Sequence, residues 1–205
     1  MQSQVIESLI QHFPLTEQSD KWETSWGNYS PSEAYKYLIG HIETHRAFGW
    51  LWKCFCQPKH KVFFWLLLHD RLSTRDILRR KRMQLESYDC VLCSQNLVES
   101  SVHLFLTCPF AKDCWNSIGI TFQGNISIAE AVLQIKSQSD NRFFMISAIL
   151  MSWAIWIVRN DFIFKNFHPD VDRAREIYMK EIQLISLRAR VKDSVLFDQW
   201  IQNLL

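Results

Sequence analysis

Four residues in one short stretch have the types and spacing to hold a metal ion. Cys90 and Cys93 are separated by two residues, Cys93 and His103 by nine, and His103 and Cys108 by four. Three thiolates and an imidazole can close a tetrahedron around one zinc ion, because thiolates are soft ligands matched to zinc and a two-residue gap lets one turn supply two of them. Four protein ligands leave no position for water, so the zinc expected here is structural: a catalytic ion needs an exchangeable fourth position. Cys114, six residues past Cys108, is the alternative ligand. Glu99 is expected to accept the second ring N–H of His103 and fix its tautomer. Cys54 and Cys56, flanked by aromatic residues, are expected as core thiols.

The elements that must position this set read as helices. Ser30-Pro31-Ser32-Glu33 has a capping hydroxyl, a first-turn proline and an acid three residues after the cap, and Gly40 marks a helix end, which would turn Ala34, Tyr35, Leu38 and Ile39 inward. Before it, Val5, Ile6, Leu9, Ile10 and Phe13 have helical spacing, followed by an extended arm with Trp22 and Trp26. Pro58 can open a central helix through the apolar run from Val62 to Leu68, and Ser73-Thr74-Arg75-Asp76 offers another capped start. Ser100 or Ser101 can cap a short helix carrying His103. After Cys108, Pro109 to Gly119 reads as a short helix, Ser127 to Glu130 as a capping box, and Asp140 as a cap for a long helix to Lys165. His168-Pro169-Asp170 breaks that run. A final long helix follows, then a short one with Leu196, Phe197, Trp200 and Ile201 inward.

Two stripes on these helices could carry binding. Arg71, Arg75, Arg79 and Arg82 step by four, four and three, so one helix face could hold phosphates of RNA or single-stranded DNA through forked guanidinium bonds. A solvated face with no ligand explains the stripe equally well. Val171, Ala174, Tyr178, Ile182, Ile185 and Ala189 form an apolar stripe on the last long helix. Packing on the chain's own core is the commoner use of such a stripe; docking of a partner protein through Tyr178, Ile182 and Ile185, or self-association, is the other.

Composition bounds the alternatives. In 205 residues, 48% are hydrophobic and only 21% charged, with five Gly and five Pro, the profile of a helix-rich globular chain long enough to bury a large core. Nine Trp and fourteen Phe imply either a very aromatic core or a surface that another chain covers. A formal net charge of +2 does not by itself argue for nucleic acid. The first residues lack a charged and apolar signal, so a reducing, intracellular compartment, nucleus or cytoplasm, is expected, with organelle import left open. Phe143 to Val158 is nearly free of charge but shorter than the roughly 20 residues of a spanning helix; a buried core helix is expected, and no membrane. Nothing in the chain suggests a small-molecule substrate, and its best Cys and His are consumed as ligands, so no enzyme is expected.

At these residues the chain resembles the zinc-binding domain that follows the reverse transcriptase in plant LINE-type, non-LTR retrotransposons. The resemblance covers Ser32-Glu33-Ala34-Tyr35, Trp50-Leu51-Trp52-Lys53, the block from Pro58 to Leu66, the block from His69 to Arg75, Cys90 to Cys93, and Glu99 to Phe110 with Trp115. Farther on, Trp153 to Asn160 and Phe164 resemble the segment that precedes an RNase H domain in these elements. The resemblance implies zinc binding, descent from a retroelement polyprotein and association with element RNA or DNA. Neither a polymerase's paired carboxylates in a palm sheet nor the acidic cluster of RNase H is found, so the chain is similar to a detached terminal portion. The fold expected is mainly α: an irregular helical domain around a Cys-Cys-His-Cys zinc knuckle at 30–120, preceded by a helix and arm at 1–29 and followed by a C-terminal helical bundle segment at 121–205. Its expected function is a non-catalytic zinc module binding RNA or single-stranded DNA through the arginine helix; the alternative is a scaffold that docks a protein.

Overall fold

The computed structural model describes residues 23–24, 27–28, 30–40, 45–139, 142–188 and 191–202. They fall into two units, 1–44 and 45–205. The chain is mainly helical.

In the first unit, β1 (Glu23–Thr24) pairs antiparallel with β2 (Gly27–Asn28), and α1 spans Pro31–Ile39. The helix begins as the sequence dictates: Ser30 Oγ accepts the Glu33 N–H at 3.1 Å, Pro31 occupies the first turn, and Gly40 ends the helix at φ 75°. The inward face expected for Ala34, Tyr35, Leu38 and Ile39 is not found. None of them is buried, and Leu38 is 79% exposed. The expected helix through Val5 to Phe13 and the arm with Trp22 and Trp26 lie outside the described residues.

The second unit is organised around α7 (Phe144–Lys165), a 22-residue helix of which fourteen residues are buried. Apolar side chains on nearly every side require neighbours on every side. Those neighbours are α8 (Val171–Ser186), α3 (Pro58–Leu68), α6 (Ile128–Gln138) and α5 (Pro109–Asn116). By length and composition α7 could cross a bilayer, but here it is the expected core helix, longer than the apolar run from Phe143 to Val158 on which that expectation rests. Its two buried charges are both paired: Arg159 with Glu99, and Asp161 with Lys165 and Arg173. Asp140, expected to cap this helix, lies outside the described residues.

Local signals hold around this core. Pro58 opens α3, Ser127 and Glu130 form a reciprocal capping box for α6, and Asp170 caps α8 by accepting the Asp172 N–H at 3.1 Å. Among the described residues the aromatic load is mostly internal. Phe63, Trp153, Phe105 and Trp156 meet edge-on or tilted beside α3 and α7, and Phe55, Phe143, Phe197 and Trp200 form a second group under α9 (Val191–Gln202). Phe197 and Trp200 point inward as expected and Ile201 packs against the core, whereas Leu196 is exposed.

The apolar stripe of α8 faces this core. Ala174, Tyr178, Ile182 and Ile185 are fully buried, and the Tyr178 hydroxyl donates to Ser147 Oγ on α7 at 3.2 Å. The partner-docking role considered for Tyr178, Ile182 and Ile185 is therefore corrected: α7 already occupies that face. Ala189 lies outside the described residues.

Candidate metal centre

Between α3 and α5 the chain makes a short helix, a hairpin-like loop and an irregular turn, and these bring the four ligands together. The loop closes on an isolated antiparallel bridge between Asp89 and Val98, with the Cys90 N–H donating to Leu97 O at 2.8 Å and the Glu99 N–H to Tyr88 O at 2.9 Å. Cys90 and Cys93 sit on the tight turn between these arms. A cap follows: Ser100 Oγ accepts the His103 N–H at 3.1 Å.

His103 to Thr107 then forms a π-helical turn, closed by the Cys108 N–H donating to His103 O at 2.8 Å. This widened turn matters to the site. Residues five apart in an α-helix lie about 140° apart around the axis, pointing different ways. An i to i+5 hydrogen bond instead lays Cys108 over His103, and such single π-turns recur at functional sites.

The four ligand atoms all lie within 4.8 Å of one another. Cys90 Sγ and Cys108 Sγ are 3.9 Å apart, and Cys93 Sγ is 3.4 Å from His103 Nε2. Zinc–sulfur and zinc–nitrogen bonds at tetrahedral angles give edges of about 3.8 Å and about 3.5 Å, so the set fits the ion. Cys90, His103 and Cys108 are buried and Cys93 half-buried.

Backbone N–H groups aim at the sulfurs: Leu92 at Cys90, Gln95 at Cys93, Phe110 and Ala111 at Cys108. Cys108 also sits at the N-terminus of α5, where the helix dipole favours negative charge. The Cys90 thiol and these amides hold Cys108 down to about 6. The same contact with Cys108, together with burial, pushes Cys90 strongly upward, and burial raises Cys93. Zinc binding displaces the protons that these thiols carry.

Cys90, Cys93, His103 and Cys108 are compatible with one structural zinc ion. Cys114, the alternative ligand, is fully buried and outside the cluster; burial pushes its thiol up to about 12.

The expected contact between Glu99 and His103 is corrected. His103 Nδ1 lies 3.3 Å from Thr107 Oγ1, one turn on, so Thr107 orients the ring. Glu99 is fully buried and faces the other way. Its Oε1 accepts from the Arg75 N–H at 3.0 Å and from Arg159 Nη2 at 2.6 Å, while Oε2 accepts from Arg159 Nε at 3.3 Å. Its carbonyl takes the Asp76 N–H at 3.1 Å. Glu99 thereby caps α4 (Arg75–Arg80), whose own N-cap Thr74 makes no side-chain capping bond, and ties the knuckle to α7. The sequence signal for this was Arg159 itself, a charge at the edge of an apolar run.

The arginine stripe is also corrected. With six residues, α4 contains Arg75 and Arg79 but not Arg71, which precedes it, or Arg82, which follows at φ 60°. Arg75 turns inward and donates from Nη1 to Ser87 O and Asp89 O, both at 3.1 Å, bracing the knuckle loop. Arg79 pairs with Asp76 at 3.2 Å, and Arg80 pairs with Asp70 and Asp76. Arg71, Arg79 and Arg82 are exposed, as is Lys81.

Fold and site together define a helical module held by a closed metal clip. Residues 29–115 match the family model described as zinc-binding in reverse transcriptase. That segment, short of half the chain, is similar to the zinc-binding domains of reverse transcriptases and contains all four cluster residues; the family is a zinc-binding one, not a catalytic one. The comparisons with curated proteins and with solved structures give no match.

Proposed function

We propose that this chain is a non-catalytic zinc module from a retroelement polyprotein of the plant LINE type, and that its basic end binds RNA or single-stranded DNA. The observation that carries the reading is the closed ligand set: four protein ligands with matched spacing give zinc a structural task and leave function to the surfaces it orients. Beside the clip, Arg71, Lys81 and Arg82 are exposed around α4 while Arg75 is spent on the knuckle loop. Phosphate oxygens suit such side chains, and counterion release would favour association. Asp70 and Asp76 temper the charge, so modest affinity with strong salt dependence is expected. Reduced thiol ligands suit an intracellular compartment. The helices after residue 115 belong, in this reading, to the segment that accompanies such domains in these elements.

The test is a salt titration of binding to a single-stranded oligonucleotide by the zinc-loaded chain. Substituting Arg71 and Arg82 by Ala should weaken binding and lower the salt slope by roughly one to two units. No affinity at low salt would refute the reading.

One observation favours protein docking as a second reading. Tyr35, Leu38 and Ile39 share a face of α1 and are all exposed. A strictly monomeric chain in sedimentation, with no partner co-purifying, would count against it.

A further inference from the structure

The end of α2 (Arg46–Lys53) and the start of α7 enclose a half-open cavity of about 220 Å³ that neither the metal centre nor the α4 surface uses. Its walls are aromatic: Trp50, Phe55, Phe143 and Phe144. These rings brace one another across the two elements. Trp50 stands edge-on to Phe144 at 5.2 Å between centroids, and Phe55 edge-on to Phe143 at 6.1 Å. Edge-to-face contact is a favoured geometry for such pairs, so the walls are held in place rather than free to collapse into the space between them. Cys54, expected as a core thiol, is half-buried on the same wall, whereas Cys56 is buried as expected.

Positive charge gathers at the same place. Lys53 and Arg142 line the cavity and are exposed, with Arg142 Cζ 5.3 Å from the centre of the Phe143 ring. Exposed Lys136 on α6 holds its Nζ 4.3 Å over the Trp50 ring. No Asp or Glu is among the described residues of the lining. In a chain whose formal net charge is only +2, three cations around one cavity are a local concentration.

Size and shape then select the ligand. The cavity falls below the roughly 300–1,000 Å³ that a cofactor or drug-sized molecule fills, and suits one planar ring system. Aromatic walls favour such a ring, and the cations beside them favour a negative group attached to it. One nucleotide of a single strand carries both. A duplex keeps its bases paired and stacked, and offers none without unstacking.

We propose that this cavity takes one unstacked base of single-stranded RNA or DNA, while Lys53 and Arg142 hold the phosphates on either side of it. The inference rests on the reading that the chain binds single strands, and adds to the phosphate contacts beside α4 a place where a base is held. Lys53, Cys54 and Arg142 supply the only polar side chains among the described lining residues, so the pocket distinguishes a base from no base rather than one sequence from another.

The experiment titrates the full zinc-loaded chain at low salt with a short labelled RNA, the DNA of the same sequence, and an abasic counterpart of each. A base-bearing strand should bind roughly tenfold more tightly than its abasic counterpart, and the strand type that shows this gap is the ligand. Replacing Lys53 and Arg142 by Ala should weaken binding and lower the salt slope by about one to one and a half units. Replacing Arg71 and Arg82 by Ala should lower the slope but leave the abasic gap intact. In the wild-type chain, strands carrying 4-thiouridine or its deoxy form should photo-crosslink to the tryptic peptides 47–53 or 54–59, which hold Trp50 and Phe55. The abasic comparison and the crosslinks depend on no variant. No binding of any strand at low salt would refute both this proposal and the reading it rests on. Equal binding of base-bearing and abasic strands, or crosslinks confined to other peptides, would overturn the pocket alone.

Discussion

Removing the charge of Glu99 would leave the Arg159 guanidinium buried without its partner, because both side chains are almost wholly inaccessible and Arg159 makes two bonds to that carboxylate. Stranding a buried charge costs about 3–5 kcal/mol, more than the pair itself contributes against an apolar replacement. Glu99→Gln should therefore destabilise the zinc-loaded chain by about that amount in urea unfolding, and adding Arg159→Met should recover most of it. Additive losses in the double variant would show that the two residues act separately. At this scale the sequence was legible for the ligands, whose chemistry is written in residue type and spacing. It was not legible for Glu99 or Arg75, because a side chain four residues from a ligand can point to either side of the chain. Burial of Arg159 sixty residues away decides which.

The seam between α3 and α8 has a pH dependence of its own. His60 is fully buried against Trp153, its Nε2 faces Glu181 Oε2 at 3.4 Å without hydrogen-bond alignment, and Lys59 pairs with the same carboxylate at 3.0 Å. Desolvation, outweighing Glu181, lowers His60 from 6.5 to about 4. The unfolded chain then takes up this proton first as pH falls. The stability held by neutral His60 is complete above about 6.5 and is lost as pH drops toward about 4, by up to about 3 kcal/mol. His60→Gln should flatten that part of the stability profile, measured as the difference between variant and wild-type denaturation across this range. A parallel profile would place the titration elsewhere. Element boundaries marked by Pro58, Ser127, Asp170 and Gly40 could be read ahead of the structure because each signal is local. The length of α4 and the π-turn could not. Helical spacing continued through Arg71 and Arg82, and only the Glu99 cap and the left-handed Arg82 set where α4 starts and stops.

Across the second unit, the clip and the α7 core draw on different forces. Burial of α7 against α8, α3 and α6 is apolar and involves no ligand, whereas the loop from Ser87 to Val98 buries little and is held by the zinc ligands, one bridge and the Arg75 guanidinium. Structural zinc contributes its binding free energy to folding, so stripping it should act first where that energy is spent. Hydrogen exchange on the chelator-treated chain should show lost protection over residues 87–98 while α7 and α8 stay protected, since regions with few buried apolar contacts open at the lowest free energy. Arg159 is where the two parts meet, so Glu99→Gln should leave the core less stable while its protection stays as indifferent to metal as in the wild-type chain. If stripping zinc instead exposed α7 and the knuckle together, the Glu99–Arg159 contact would be strong enough to make clip and core one cooperative body, and the loss should then disappear in Glu99→Gln.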